Sequence, residues 1–509
     1  MRGRPGARRR LPRWLLALVA VLSLCLVGVV GFFGWVAVSF LRAPVDTVGE
    51  VEFTRPLHVP PLAESRVEGG TRVFSLDLQE GSSDFGRGGP TPTWGFNGAY
   101  LGPTLRAARG ERVRVEVHNG LDETSTVHWH GMHLPAAMDG GPHQPVDPGE
   151  TWTPEWEIDQ PAATLWYHPH PHGETARHVY RGLAGMFLLD DPAQAEVAES
   201  LPHDYGVDDV PVIVQDKRFD GGRLDEDGSV FSGIGLLGDT LLVNGTVGPY
   251  FDVTTERVRL RLLNGSTART YRFGFDDARS FDVIASDGGL LPAPAPVDEL
   301  WLSPGERAEV VVTMEPGEDA VLRSEETGQR GGGRFQGGSD RFDVLQLRAA
   351  DELARSPGVP GRLAAAPDLS ADEVTGTRSF RLTGTSINGK QMDMDRIDET
   401  VTVDTTERWT VRNADGSPHN FHVHGTQFVV ERLDGAPPPA ELAGWKDTVF
   451  VPSGAEVDLL VRFTGHTDPD LPFMFHCHLL RHEDQGMMGQ LVVVEPGEEA
   501  GAVPEDHDH

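Results

Sequence analysis

Histidines that could bind metal are concentrated in four short windows of the 509-residue chain. The windows read "HWHG", "WYHPHPHGET", "SPHNFHVHG" and "FHCHLLRHEDQGMM", and they hold eleven of the twenty histidines. The eleven are His128, His130, His168, His170, His172, His419, His422, His424, His476, His478 and His482. Every window contains a His-x-His pair, and in a strand this spacing puts both imidazoles on one face. Four such pairs indicate a metal-binding protein rather than unrelated surface histidines.

The fourth window also contains Cys477, the one cysteine outside an apolar N-terminal segment. The polar part of the chain therefore cannot form an internal disulfide, and a bound metal would protect this thiol. Structural zinc sites commonly use several cysteines, whereas one thiolate, two imidazoles and a weakly bound methionine form a blue copper site. The surplus of imidazoles suits further copper ions, so copper is the predicted metal.

The order His476-Cys477-His478 predicts two metal sites on opposite sides of one strand. Because side chains alternate along a strand, the thiol points away from the face that the two imidazoles share. One site would receive the thiolate and the other the imidazoles, with a few bonds of backbone between them. A protein that only carries electrons has no need of the second site. Since reduction of O2 to water takes several electrons, the pattern favours an oxidase.

Short strands separated by turns must position these windows. Segments such as "RVRVEVHN", "RVRLRLLN" and "RAEVVVTM" alternate apolar and polar residues, and glycine and proline are abundant. The predicted fold class is all-β, with three β-sandwich domains behind an N-terminal membrane anchor. The expected boundaries are 1–43 for a cytoplasmic stub and anchor, 44–70 for a connector, 71–195, 205–350 and 375–498 for the domains, and 499–509 for a disordered acidic tail.

The N-terminal segment predicts the membrane anchor. Residues 14–41 contain no charged side chain and would form a helix roughly 42 Å long, more than the ~30 Å hydrocarbon core of a bilayer. The arginines before this segment place the N-terminus in the cytoplasm and the domains outside the cell membrane. A cleaved signal peptide is the alternative, and it would give a secreted protein. The net charge of −33 argues against nucleic acid as a partner.

With these motifs, the chain resembles the three-domain multicopper oxidases over roughly residues 70–497. Within that family it is most similar to the bacterial copper efflux oxidases, as in "WYHPHPHGETARHVYRGLAG" and "HCHLLRHEDQGMM". The resemblance implies cupredoxin-like Greek-key β-sandwiches and four copper ions, of which one is type 1, one is type 2 and two form a type 3 pair. It also implies that a small phenolic (laccase-like) or cuprous-ion donor supplies electrons that reduce O2 to water.

The resemblance assigns copper ligands by motif position. For the type 1 copper they are His419, Cys477, His482 and the axial Met487, with Met488 as the neighbour that could be confused with it. For the type 2 copper they are His128 and His422. For the type 3 pair they are His130, His168, His170, His424, His476 and His478. The residues outside this pattern, which we expect to lie in loops or at the surface, are His172, His133, Met132 and His143.

Two carboxylates are candidates for delivering protons to the oxygen-reducing site. The family pattern places one in the loop after "HWHG", which is Asp139, and another just after the last type 1 histidine, which is Glu483. Carboxylates close to metal ions are natural proton relays. From the sequence alone, a turn aspartate and a solvated glutamate are equally reasonable interpretations.

The substrate stays open at this point. Copper efflux oxidases resemble one another in a methionine-rich insertion, whereas residues 351–376 contain no methionine. Met392, Met394 and Asp415 could form a smaller cuprous site or could be ordinary loop residues, and an uncovered type 1 site would admit phenols. The alternatives are a cuprous oxidase dedicated to copper tolerance and a copper-binding protein without turnover. A two-domain copper nitrite reductase is disfavoured by the type 3 motifs and the third domain.

Overall fold

The computed structural model of the chain describes residues 12–228 and 231–503. Its four α-helices within these residues are α1 (Arg13–Arg42), α2 (Thr175–Arg181), α3 (Ala195–Ser200) and α4 (Leu480–Asp484). Short 3-10 turns span Ala136–Met138, Pro192–Gln194, Arg334–Gln336, Ala371–Glu373 and Ala440–Leu442. The rest of the regular structure is β, which confirms the predicted fold class. The first residues of the predicted cytoplasmic stub and the last of the predicted acidic tail lie outside the described residues.

The first pair of sheets carries the first and second histidine windows. One sheet contains Arg66–Glu68, Thr71–Ser83, Thr91–Phe96, Arg112–Asn119, Thr151–Trp152 and Glu155–Glu157. The other, in spatial order, contains Leu105–Ala108, Gly185–Asp190, Ala163–His168 and His128–His130. The second sheet therefore ends on the two strands that bring the first and second histidine windows side by side.

The second pair of sheets contains none of the four histidine windows. Its six-stranded sheet runs Arg55–Pro56, Pro249–Thr255, Phe342–Ala354, Asp319–Ser324, Tyr271–Phe275 and Leu300–Leu302. Its seven-stranded sheet runs Thr246–Val247, Thr240–Val243, Asp209–Lys217, Arg257–Asn264, Arg307–Thr313, Phe281–Ser286 and Gly289–Val297. A small hairpin joins Phe219–Asp220 to Arg223–Leu224. Part of the predicted connector, Arg55–Pro56, is thus a strand of this sheet, and Arg66–Glu68 is a strand of the first pair.

The third pair carries the third and fourth histidine windows. One sheet runs Ser386–Ile387, Val374–Thr383, Thr406–Asn413, Glu456–Val461 and Phe428–Leu433. The other runs Glu399–Thr402, Met488–Val494, Asp468–His476, His419–Val423 and Thr448–Val451. Buried apolar side chains of the first and third pairs form one continuous cluster, while those of the second pair form a cluster of their own. Closely packed first and third pairs bring all four windows together.

Helix α1 is apolar along its length, and the described structure buries none of its residues. It is long and apolar enough to cross a membrane, as the sequence predicts. The short helix α4 follows the cysteine window directly and places His482 and Glu483 on the inside of the molecule, where both are buried.

Candidate metal centre

The strand register brings the histidine windows together in pairs. In the first pair of sheets, His128 lies opposite His168 on the neighbouring antiparallel strand. In the third pair, His422 lies opposite His476. Residues directly opposite each other on neighbouring strands present their side chains to the same face. The first and third pairs of sheets therefore each have a face lined with imidazoles, and these two faces meet.

Eight buried imidazoles surround one space between the first and third pairs of sheets. They are His128, His130, His168, His170, His422, His424, His476 and His478. The Nε2 atom of His476 lies 3.2 Å from Nε2 of His170 and 3.1 Å from Nε2 of His424. Across the space, the ring of His128 stacks on that of His424, and the ring of His130 stacks on that of His422, with centroids 3.8 Å apart in both cases. Each stack joins the first pair of sheets to the third. Such distances leave the nitrogens facing one another within reach of shared ions.

These imidazoles fit a metal cluster because several of their nitrogens have no other use. Among the described residues, Nε2 of His128, Nε2 of His422 and both ring nitrogens of His478 are buried without a hydrogen-bond partner. Leaving a buried polar atom unpaired costs about 1–3 kcal/mol, and the cost is removed when a metal occupies the lone pair. The donor set consists of imidazoles, which suit copper well.

The same burial disfavours the charged form of several of these imidazoles. Burial, assisted by nearby imidazoles and opposed by the charge of Glu483, lowers the pKa of His170 to about 4 and that of His478 to about 3. Burial also lowers the pKa of His130, His168 and His424 well below the usual value, again assisted by neighbouring histidines. Because the neutral imidazole is the metal-binding form, the site is prepared for ions at physiological pH.

A second cluster lies on the other side of the strand end that carries Cys477. The Sγ atom lies 3.5 Å from Nδ1 of His419 and 3.7 Å from Nδ1 of His482, and these two nitrogens are 3.1 Å apart. Burial raises the pKa of the Cys477 thiol, but hydrogen bonds and charge interactions with the two histidines outweigh burial and lower this pKa to about 5. The thiolate, which is the metal-binding form, is therefore favoured.

The structure separates the two neighbouring methionines. The backbone N–H of Cys477 donates to the carbonyl oxygen of Met487, whereas Met488 lies opposite His476 in the strand ladder. Met487 is thus beside the cysteine, and Met488 shares the face of the preceding histidine. The side chains of both methionines are buried.

Both predicted carboxylates touch the eight-imidazole cluster. One oxygen of Asp139 lies 2.7 Å from Nδ1 of His424, and the other lies 3.4 Å from Nδ1 of His128. The oxygens of Glu483 lie 3.1 Å from Nδ1 of His476 and 3.5 Å from Nδ1 of His170. Burial raises the pKa of Glu483, but the charges of these two histidines lower it more, to well below its usual range. Glu483 is buried rather than solvated, and Asp139, although it ends the turn Ala136–Met138, is buried against the cluster as well.

Three further residues contact the site although no motif in the sequence assigns them a role there. Asp447 accepts a hydrogen bond from Nε2 of His130 at 3.0 Å and forms a two-pronged ion pair with Arg307, with both contacts at 2.7 Å. Such a carboxylate fixes the orientation of an imidazole ligand. Asn420 accepts from the backbone N–H of His478 at 2.6 Å and from the thiol of Cys477. Only its place between two histidines of the third window could have drawn attention to Asn420.

The remaining candidates lie away from the two clusters or at their margin. His172 is exposed, Met132 is part of the apolar core, and His133 is half-buried. Asp415 accepts from Nε2 of His419 at 3.1 Å. The backbones of Met392 and Met394 hydrogen-bond Gly486 and Gln490, close to the end of α4. His143 hydrogen-bonds Gln490.

One known protein family matches most of the chain. The multicopper oxidase description fits three consecutive stretches, residues 77–194, 217–325 and 364–497. This chain belongs to the multicopper oxidase family. It is an oxidoreductase that uses oxygen, and the family implies copper and a reducing substrate. The family membership confirms the resemblance that the motifs indicated.

Individual relatives match most of the chain. The multicopper oxidase mco of Staphylococcus haemolyticus is 36% identical over 85% of this chain and 91% of its own. The cell division protein FtsP of Edwardsiella tarda is 44% identical over 86% of this chain and 92% of its own. A crystal structure of the laccase from Pediococcus acidilactici superposes with a TM-score of 0.79 at 37% identity, covering 87% of this chain and 94% of that one.

Proposed function

We propose that this chain is a copper-loaded oxidase that takes single electrons from a small donor at the Cys477 cluster and reduces O2 to water at the eight-imidazole cluster. One observation supports this above all others. Eight buried imidazoles, several of them with unpartnered ring nitrogens, adjoin, through one His-Cys-His sequence, a thiol already paired with two imidazoles. A storage protein has no need for this connection.

The proposed ligand set follows the motifs and the geometry together. His419, Cys477 and His482 would hold the type 1 copper, and the place of Met487 beside Cys477 supports it as a fourth ligand. His128 and His422 would hold the type 2 copper. The type 3 pair would be held by His170, His424 and His476 on one side and by His130, His168 and His478 on the other. This gives four copper ions.

Bound copper supplies one-electron acceptance at the first cluster and the electrons for O2 at the second. The chain supplies the path between them, since Cys477 and its two flanking histidines are covalent neighbours. Asn420 hydrogen-bonds both the thiol and the His478 backbone, so it holds the two ends of this path in register. Asp447, anchored by Arg307, fixes the ring of His130.

We infer that Glu483 and Asp139 hold and deliver the protons that water formation consumes. Each carboxylate touches two imidazoles of the cluster and is almost completely buried. A carboxylate beside the cluster, where copper would supply the electrons for O2, would be suited to exchange protons there. Asp484 follows Glu483 in the chain and accepts from two backbone N–H groups at the start of α2, which places a further carboxylate next to it.

Phenols and cuprous ion are both proposed donors. The contact between Asp415 and His419 provides one oxygen ligand at the edge of the type 1 cluster, which favours access by a cation. The missing methionine-rich insertion favours access by larger organic donors. We place the oxidase outside the cell membrane, held by α1. The FtsP relatives are named for cell division, and a role of that kind is the second candidate for this chain.

The test uses Cys477→Ser in the full-length, copper-loaded protein. Wild type is expected to show intense blue absorption and oxygen uptake with cuprous ion or a simple phenol, and the variant is expected to lose both. His172→Ala is the matched control, because His172 is an exposed histidine of the same windows that lies outside the proposed ligand set. A variant that stays blue and active would contradict the assignment, as would a wild-type protein that binds copper without consuming oxygen.

A further inference from the structure

The end of α1 does not stand clear of the folded domains. Trp35 packs on Phe231 with ring centroids 4.8 Å apart, and Phe40 packs on Phe335 at 5.6 Å. The stretch of α1 before these contacts, residues 14–34, would be about 32 Å long, which matches the ~30 Å hydrocarbon core of a bilayer. The helix therefore leaves the membrane where it meets the domains. Aromatic side chains are typical of that interface.

The aromatic residues that meet α1 belong to two loops beside the type 1 cluster. We call residues 231–238 the first rim loop and residues 325–341 the second rim loop. Phe231 and Phe335 stack on each other with ring centroids 4.7 Å apart and planes 19° from parallel. The loops and α1 thus form one aromatic contact.

Both rim loops reach the residues that surround the proposed type 1 copper. In the first loop, the carbonyl of Gly233 accepts from Nε2 of His482 at 2.9 Å. In the second loop, Gly331 packs so tightly that an added Cβ would lie 2.6 Å from the carbonyl oxygen of Gly416. Gly416 precedes His419 by three residues. The two loops therefore bracket the two type 1 histidines and connect them to the membrane end of α1.

A cavity of about 460 Å³ opens between α1 and the two rim loops. Its lining includes Trp35, Phe231 and Phe335, together with the arginines at 42 and 334 and the exposed carboxylate of Asp239. Among the described residues, the lining has no thioether or thiolate, the soft ligands that cuprous ion prefers. Flat aromatic walls with a nearby carboxylate suit an aromatic ring that carries hydroxyl groups. A cavity that opens where α1 enters the bilayer would be filled from the lipid phase.

We propose that this cavity binds a lipid-soluble hydroquinone that enters from the bilayer and is oxidised at the type 1 cluster. The proposal rests on the proposed oxidase function and names one class of donor for it. Each hydroquinone loses its two O–H hydrogens as two protons and two electrons and leaves as a quinone. Two hydroquinones then supply the electrons and protons that convert one O2 into two water molecules.

The test compares two donors in the full-length, copper-loaded protein in phospholipid nanodiscs. One is a benzohydroquinone with a ten-carbon alkyl tail, and the other has the same head group without the tail. Oxygen uptake gives KM and kcat for each. Phe335→Ala is expected to raise KM for the tailed donor about tenfold, the effect of losing one aromatic contact of about 1.4 kcal/mol, with a much smaller change for the tail-free donor. Phe33→Ala, an exposed aromatic change within the membrane stretch of α1, is the matched control.

A second measurement does not depend on turnover. A photoreactive azidoquinone with the same tail is expected to label peptides containing residues 231–238 and 325–341, and Phe335→Ala is expected to reduce this labelling. Labelling confined to α1 or spread over the surface would overturn the proposal, as would equal KM changes for the two donors. If no donor, cuprous ion included, drives oxygen uptake, the oxidase function fails, and the labelling pattern still decides whether the cavity binds the quinone.

Discussion

At the scale of single residues, the two clusters depend on groups whose charge is set by burial and by neighbouring side chains. Burial lowers the pKa of six of the eight imidazoles of the larger cluster. Against the effect of burial, neighbouring histidines hold the pKa of the Cys477 thiol and of the Glu483 carboxyl below their usual values. These shifts favour the forms that metal binding and proton exchange require, so Glu483 is positioned to take a proton up and pass it on.

Glu483→Gln tests the proton role of this carboxylate. The amide keeps the size of the side chain, so copper content and blue absorption are expected to stay at the wild-type level. The kcat for oxygen uptake should fall on the order of 10²-fold, because a positioned acid–base group commonly contributes that much. Steady-state oxygen uptake at saturating donor measures the change. An unchanged kcat in a fully copper-loaded variant would remove Glu483 from the mechanism.

At the scale of elements, the site depends on close approaches between strands and turns of different sheets. Gly305, in the turn before the strand Arg307–Thr313, has a φ of +85°, and an added Cβ would lie 3.1 Å from the ring of His478. The second pair of sheets therefore packs closely against His478, a proposed ligand that it does not itself supply. A side chain at this position would be strained and would also displace the imidazole.

Gly305→Ala should accordingly disturb the larger cluster specifically. We expect copper content to fall and oxygen uptake to decrease at least tenfold, since small misplacements of a reacting group are costly. Gly454→Ala is the matched control, because Gly454 has a similar φ of +73° with nothing within 4 Å of an added Cβ. It should share the backbone cost, about 1 kcal/mol, without the loss of copper. Equal copper content in the two variants would contradict this account of Gly305.

A second element-scale contact joins the strand Asp209–Lys217 to α2. The Nζ of Lys217 donates to the carbonyl of Tyr180 at 2.7 Å and lies over the Tyr180 ring, with the ring of Tyr100 nearby. Burial lowers the pKa of Lys217 to about 7, although the charges of Asp216 and Glu226 oppose the shift. In the unfolded chain Lys217 has its ordinary pKa of 10.5, so between about pH 7 and that value the unfolded chain binds more protons than the folded chain. The stability of the folded state therefore rises with pH above about 7 through this group.

Lys217→Met should remove that dependence. The Tm of the variant minus that of wild type is expected to be highest at pH 6 and 7. This difference should decrease steadily as the pH rises to 9, because wild type gains stability over that range. The lost hydrogen bond to Tyr180 adds a cost of about 1–3 kcal/mol that does not vary with pH. Thermal unfolding across the pH series measures the slope. The exposed Lys390→Met is the control, and a parallel slope in both variants would refute the linkage.

Local patterns predicted the residues of both clusters well, because each histidine window lies within one strand or its adjoining turn and spacing alone sets the face. The fold class and strands such as Arg112–Asn119 and Arg257–Asn264 follow from alternation in the same way. Asp447 and Arg307 could not be predicted, since they lie 140 positions apart and meet only when strands of different sheets pack. The same holds for the rim loops, whose contact with α1 depends on the whole assembly.

At the scale of the whole molecule, the paired sheets enclose the larger cluster while α1 is the proposed membrane anchor. All α1 side chains are accessible, and those from residue 14 to 41 are uncharged. Exposed apolar area of this extent is stable in lipid rather than in water. The Cys477 cluster lies towards the rim loops that touch the helix, so an anchored protein would turn the proposed donor side towards the membrane.

The full-length protein is therefore expected to sediment with membranes and to resist extraction by alkaline carbonate, while a mild detergent releases it. Its mass should include residues 1–43, because the helix remains attached. The domains should be digested by protease added from outside the cytoplasmic membrane. Intact-mass spectrometry and membrane fractionation measure both properties, and a soluble protein that begins after the apolar segment would show that the segment is a cleaved signal.

The proposed oxidase takes electrons from its donor one at a time and uses four of them to reduce each O2 to water. The ratio of donor oxidised to O2 consumed tests this directly, with hydrogen peroxide assayed in the same vessel. We expect four electrons per O2 and no hydrogen peroxide from the wild-type, copper-loaded protein. Two electrons per O2 with matching hydrogen peroxide, or donor oxidation without oxygen uptake, would contradict it.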